Sequence, residues 1–159
     1  MRKKIVLALG AAATTGSLVV GGAFLNSASA ITTAMTLRVE EGPGHSSDID
    51  LGGRGNSQGD LEVFTGKLID PRNEQVIGRT DGQCVVTNPA THQRVCVEVF
   101  TLEHGTIVIT GSNPVGEEGE KVDNRSAVTG GTGRYANARG EVVEVGGGHE
   151  EAILIKLIP

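Results

Sequence analysis

Apolar and polar positions alternate every second residue through most of this chain, in short runs separated by glycine, proline and charged turns. That period is the signature of strands with two unlike faces. Residues 31–40 open the series, with Met35, Leu37 and Val39 on one face and Thr36, Arg38 and Glu40 on the other. A polar, glycine-rich stretch, 41–59, reads as a long loop. Strands follow at 60–70, at 76–87 with a bend at Gly82, at 94–102, at 106–110, around Val128, at 141–145 and at 152–158. In the 60–70 strand, Glu62, Phe64 and Gly66 share a face; in the 94–102 strand, Val95, Val97 and Val99 oppose Cys96, Glu98 and Phe100. Pro71 with Asn73, and Glu103-His104-Gly105, mark turns. Residues 111–123 read as an acidic, solvated loop.

Eight short strands joined mostly by short turns, with no convincing helix, predict an all-β protein: an eight-stranded antiparallel up-and-down barrel. A barrel of that size either fills with its own side chains or holds one small ligand. Phe64 and Phe100 are expected to line the interior, and Glu98 joins them if its face is internal. The Ser126–Glu141 stretch carries four glycines, three alanines and the only tyrosine, Tyr135. It predicts a sharp bend with close backbone approach and one ring filling the space that the small residues leave. Gly131-Thr132-Gly133-Arg134-Tyr135-Ala136 spells a dinucleotide fingerprint by letter. Strand character resumes within a few residues, so no helix has room to hold a pyrophosphate.

Charge and composition narrow the class. Met1-Arg2-Lys3-Lys4, a nearly uncharged run to residue 30, and Ala28-Ser29-Ala30 predict a secretory signal peptide over 1–30, with one mature domain over 31–159. Thr14, Gly16, Ser17, Gly21 and Gly22 interrupt the apolar run and weaken a membrane-spanning reading. The mature chain keeps 11 basic and 19 acidic residues, net −8. That sign excludes nucleic acid and anionic membranes as partners and leaves a homo-oligomer open. His45, His92, His104 and His149 lack metal-ligand spacing, and Asp48 with Asp50 lacks the glutamate that closes a calcium loop, so neither metal nor cofactor is called for.

Cys84 and Cys96 are an even pair in an exported chain. A hairpin centred on Ala90, with Asn88 opposite His92, sets the two cysteines directly across from each other. That is the spacing a cross-strand disulfide needs. One free, functional thiol is the rival reading.

The run Gly59-Asp60-Leu61-Glu62-Val63-Phe64-Thr65-Gly66-Lys67-Leu68, with Val76-Ile77-Gly78-Arg79, Gly82-Gln83-Cys84-Val85-Val86 and Ala127–Gly133, resembles plant allene oxide cyclases. The same landmarks, with Gly111-Ser112-Asn113-Pro114 and Gly130–Gly133 to Ala138-Arg139-Gly140, resemble plant dirigent proteins. The leader and paired cysteines look like the secreted bacterial branch of that superfamily, common in actinobacteria. The resemblance implies a barrel with an apolar cavity and a small apolar metabolite as partner. It implies ring closure assisted by a glutamate in the cyclases, or stereochemical direction without oxidation in the dirigent proteins.

Residue by residue, the resemblance makes Glu40 the nearest match to the cyclase glutamate, with Glu41 as the fallback. Gly66 and Gly42 stand where the cyclases have asparagines. Cys84 matches a cavity cysteine. Arg125 lies near a dirigent arginine, and Arg139 matches the Ala-Arg-Gly motif. Candidate site residues are therefore Glu40 for catalysis and Phe64, Phe100, Glu98, Arg125 and Tyr135 for the cavity. Three functions follow: a secreted binder or stereo-directing protein, a cyclase or isomerase, and a structural or interaction domain with a filled barrel.

Overall fold

In a computed structural model of the chain, residues 33–42, 45–114, 125–145 and 152–158 are described. The leader, most of the acidic loop and His149 lie outside them. All described residues belong to the Ile31–Pro159 unit.

Nine strands form one sheet: β1 (Thr33–Glu40), β2 (Ser46–Ile49), β3 (Leu61–Asp70), β4 (Gln75–Asn88), β5 (Gln93–Leu102), β6 (Gly105–Pro114), β7 (Arg125–Gly131), β8 (Arg139–Val145) and β9 (Ala152–Ile158). All pairings are antiparallel, and the order runs β1-β9-β8-β7-β6-β5-β4-β3, with β3 pairing back to β1. The sheet therefore closes into a barrel of eight positions. The ninth strand adds no position, because β1 and β2 share one flank of β3. β1 takes Lys67–Ile69 and β2 takes Leu61–Phe64. Closure leaves no free edge running the length of the sheet.

Two expectations about boundaries change. Ser46–Ile49, expected as loop, is a strand, because β3 extends above the end of β1 and leaves backbone groups that need partners. β6 runs to Pro114 rather than stopping at residue 110, paired with β5 along its whole length. The β4–β5 tip differs as well. Pro89–Thr91 forms a 3-10 turn, capped by the Asn88 side chain accepting from the Ala90 N–H, and His92 adopts a left-handed conformation (φ 52°). The register slips by one past Val86, so Asn88 faces Gln93 instead of His92.

The apolar core fills the lower barrel, the end where β3 finishes and β5 meets β6. Phe100, Leu37, Leu68, Ile107 and Ile155 are all less than 2 % exposed, with Ile109, Val128, Val142 and Ile153 around them. Tyr135, on a second 3-10 turn (Gly133–Tyr135) below β7, packs against this cluster. That turn presses on the β5–β6 turn. Gly133 has φ 58°, and a Cβ there would lie 2.2 Å from the His104 carbonyl oxygen, so only glycine fits. No dinucleotide-binding helix follows it.

Candidate functional site

Polar groups gather in the upper lumen, on the inward faces of β3, β4 and β5. Alternation along β5 turns Phe100, Glu98, Cys96 and Arg94 inward and Val95, Val97 and Val99 outward. Phe100 joins the core floor. Two residues higher, the Glu98 carboxylate accepts a hydrogen bond from Thr80 Oγ1 at 2.5 Å. Thr80 is 1 % exposed, so the donor that orients Glu98 lies inside the wall. Gly82 faces Glu98 on one side and Phe64 on the other. The Phe64 ring lies over it, where a Cβ at position 82 would come within 2.3 Å of the ring. The bend expected at Gly82 is thus a place where an aromatic ring lies flat on backbone.

Above this layer, Cys84 and Cys96 are register partners joined by a disulfide, with Cα atoms 4.1 Å apart. The next layer holds Glu62 and Arg94, an ion pair that reaches across β4. The Ser46 hydroxyl donates to Glu62 at 3.2 Å, which ties β2 to the same group. Glu62, Val86 and Arg94 also wall a cleft of about 440 Å³ at the mouth, with Asp48, Asp60 and His92. Asp60 is spoken for. It accepts from the backbone N–H groups of Ser57 and Leu51 and from the Ser57 hydroxyl, and these bonds hold its carboxyl below the ordinary range. On the facing wall, Glu144 lies opposite buried Ile153 and Ser126 opposite buried Val142, on lumen-facing positions of β8 and β7.

The lower end has its own cleft, about 650 Å³, between β1 and the β3–β4 turn, lined by Met35, Leu37, Ile77, Asp70 and Arg72. Arg72 Nε and its backbone N–H donate to Asp70 at 2.9 and 3.0 Å, and the guanidinium adds its charge. Together they pull the Asp70 carboxyl down to about 2.

The sequence candidates separate cleanly. Phe64 and Glu98 meet in the upper lumen, Phe100 lies beneath them, and Tyr135 closes the lower end. Glu40 does not reach the cavity. It lies on the outer face beside Lys67, Nζ to Oε1 3.5 Å, and its side chain is 49 % exposed. Arg125 is also outside, 3.4 Å from Glu141. The interior groups that sequence reading passed over are Thr80, Glu62, Arg94 and Glu144. Glu62, Thr80 and Arg94 share parity with Phe64, Cys84 and Phe100, and that parity was the signal available; the 141–145 strand offers no such marker for Glu144. Among the described residues, no three His, Cys, Asp or Glu side chains converge as a metal site, and no helix is long and apolar enough to cross a membrane.

Fold and lumen together define a closed antiparallel barrel with an apolar floor and carboxylates on the inward face of its upper wall. Residues 33–146 match the allene oxide cyclase barrel-like domain, and the chain belongs to that family. Among solved structures, a pyocyanin demethylase is similar at 29 % identity and a TM-score of 0.68, over 79 % of this chain and 99 % of that one. A pterocarpan synthase dirigent protein matches at 14 % identity and a TM-score of 0.59, over 81 % of this chain and 84 % of that one. An exo-specific intermolecular Diels–Alderase matches at 13 % identity and a TM-score of 0.60, over 80 % and 98 %. The last two likenesses speak to fold alone. No curated protein sequence matches the chain.

Proposed function

We propose that this protein is an exported barrel that takes a small, largely apolar organic molecule into its upper lumen and directs its reaction there, with Glu98 as the acid–base group. The observation that carries this reading is the Glu98 carboxylate, fixed by buried Thr80 and set over an apolar floor. A carboxylate so oriented can take or give a proton at one position of a bound molecule. The Phe64 ring supplies a flat wall, and the Glu62–Arg94 pair offers charge at the entrance.

The similarity to pyocyanin demethylase supports chemistry on a small organic molecule. The cyclase positions do not supply the acid: Glu40 is outside, and position 66 is glycine. Ring closure, if performed, runs through Glu98. The leader sequence and the disulfide support export.

Native mass spectrometry of protein isolated from its producer identifies the bound molecule. Glu98→Gln is then compared with wild type on that molecule. Retained binding with lost turnover is the expected result. Retained binding with unchanged product ratios removes Glu98 from the chemistry and favours a stereo-directing binder. A barrel that carries and binds nothing overturns the proposal in favour of a structural domain.

A further inference from the structure

A glycine stands in the middle of the wall that carries Glu98. Register pairing sets Ser46, Phe64, Gly82, Glu98 and Ile109 in one row across β2, β3, β4, β5 and β6. Gly82 is not at positive φ, so its backbone conformation does not call for glycine. A glycine inside a strand otherwise marks close approach by another group. Here that group is the Phe64 ring. A Cβ at position 82 would stand 2.3 Å from its Cζ, 2.6 Å from Cε2 and 3.0 Å from Cε1. The ring points inward, yet it is half-buried and lies outside the packed apolar cluster, which on β3 and β5 reaches up only to Leu68 and Phe100. Glu98, on the other side of the glycine, is half-buried as well.

We infer that Gly82 is a specificity-determining position: by lacking a Cβ it seats the Phe64 ring in the wall, and so sets how large a molecule can stand in front of Glu98. Such a role rests on the lumen being where ligand binds, as proposed above. Ring and carboxylate flank the same residue, so a ligand that reaches Glu98 passes against the ring. The ring also has a single seat. Below it the wall is full: a Cβ on Gly66 would lie 3.0 Å from Val39 Cγ1 and 3.3 Å from Thr80 Cγ2. On its other flank Ser46 is bonded to Glu62 at 3.2 Å. Pushed off position 82, the ring rises into the lumen. The atoms that would collide are the far end of the ring, so a side chain at 82 moves the ring about its own bonds and leaves the backbone in place. Gly133 is the opposite case, because a Cβ there meets a carbonyl oxygen and the turn itself must yield. One methyl at position 82 therefore changes the lumen and spares the sheet.

The test uses two planar probes that carry the same hydroxyl and differ by one fused ring, phenol and 2-naphthol. The chain has no tryptophan, so 2-naphthol fluorescence is titrated against a dark background, and phenol is measured by displacing it. Gly82→Ala is expected to raise the dissociation constant for 2-naphthol at least about tenfold and that for phenol less than about twofold. Without the ring the difference should vanish: in a Phe64→Ala background, Gly82→Ala is expected to change neither constant by more than about twofold. Phe64→Trp takes up the same clearance with a larger ring, shifts the ratio of the two constants in the same direction, and serves should Gly82→Ala not fold. Wild type that binds both probes, with neither single substitution changing their ratio, overturns the role of Gly82 and leaves the binding lumen standing. An effect of Gly82→Ala that persists in the Phe64→Ala background also overturns that role, since the ring would not be its cause. Wild type that binds neither probe overturns the binding lumen and the role of Gly82 together.

Discussion

Two walls of one barrel read in opposite senses. Across β8, β9 and β1 the inward residues of the lower half are Val142, Ile153, Ile155 and Leu37, with Glu144 above them, and the outer face carries a cluster of ion pairs beside Val143 and Leu154. There Glu141 takes Lys156 at 3.0 Å and Arg125 at 3.4 Å. The bond and charge from Lys156, then Arg125, hold its carboxyl below the ordinary range. Across β3, β4 and β5 the inward residues of the upper half are Glu62, Phe64, Cys84, Val86, Arg94, Cys96 and Glu98, while Val63, Val85, Val95 and Val97 face out. Alternation announces two faces without saying which is the inside. On the first wall the core needs apolar groups and receives them. On the second, a polar lumen and an aliphatic exterior are both exceptions to what burial alone would select.

Breaking the first wall should have the largest effect. Ile155→Ala deletes fully buried volume from the floor and is expected to cost about 2–5 kcal/mol in denaturant titration. A loss near zero would mean that the floor is loosely packed and the contrast between the walls overstated. The second wall relies on its crosslink. Replacing both Cys84 and Cys96 with alanine is expected to cost about 3 kcal/mol, the closure entropy of so short a loop, while the strands persist by circular dichroism. Two thiols titrating in the unreduced native protein would contradict the crosslink altogether.

The smallest effect is present at neutral pH and disappears in acid. The Asp70 carboxyl is depressed to about 2 by Arg72, so the stability it contributes is complete above its ordinary value near 4 and is lost as pH falls towards 2. Asp70→Asn should therefore lower the melting temperature at neutral pH and flatten its decline between those limits. Parallel acid limbs for variant and wild type would remove Asp70 from the account.

Much of this was legible beforehand, and the failures have physical causes. The strands of the barrel and the opposition of Cys84 and Cys96 follow from period-two patterning and turn chemistry, both local properties. Ser46–Ile49 escaped notice because Ser-Ser-Asp-Ile carries no alternation. It is a strand only because β3 outruns β1, which is a property of the assembled sheet. Glu40 is more instructive. Its own strand placed it with Thr36 and Arg38, opposite Met35, Leu37 and Val39, and the structure keeps that division. Family likeness argued for the cavity; parity, the stronger physical constraint, put it outside. Glu98 stayed undecided because both faces of β5 are credible interiors when read alone. Only closure of the ring, with Phe100 on the floor, settles which way it points.

The crosslink also changes how damage to the molecule would look. Ala90, Thr91 and His92 protrude at the tip of the β4–β5 hairpin, inside the ring that Cys84 and Cys96 close. A peptidase cutting there would produce two fragments still tethered through sulfur and still paired along two strands. The nick would leave migration on a gel unchanged until a reductant was added. Wear on this protein would therefore accumulate unseen in an oxidising medium and become loss of the β4–β5 wall only on entry to a reducing one.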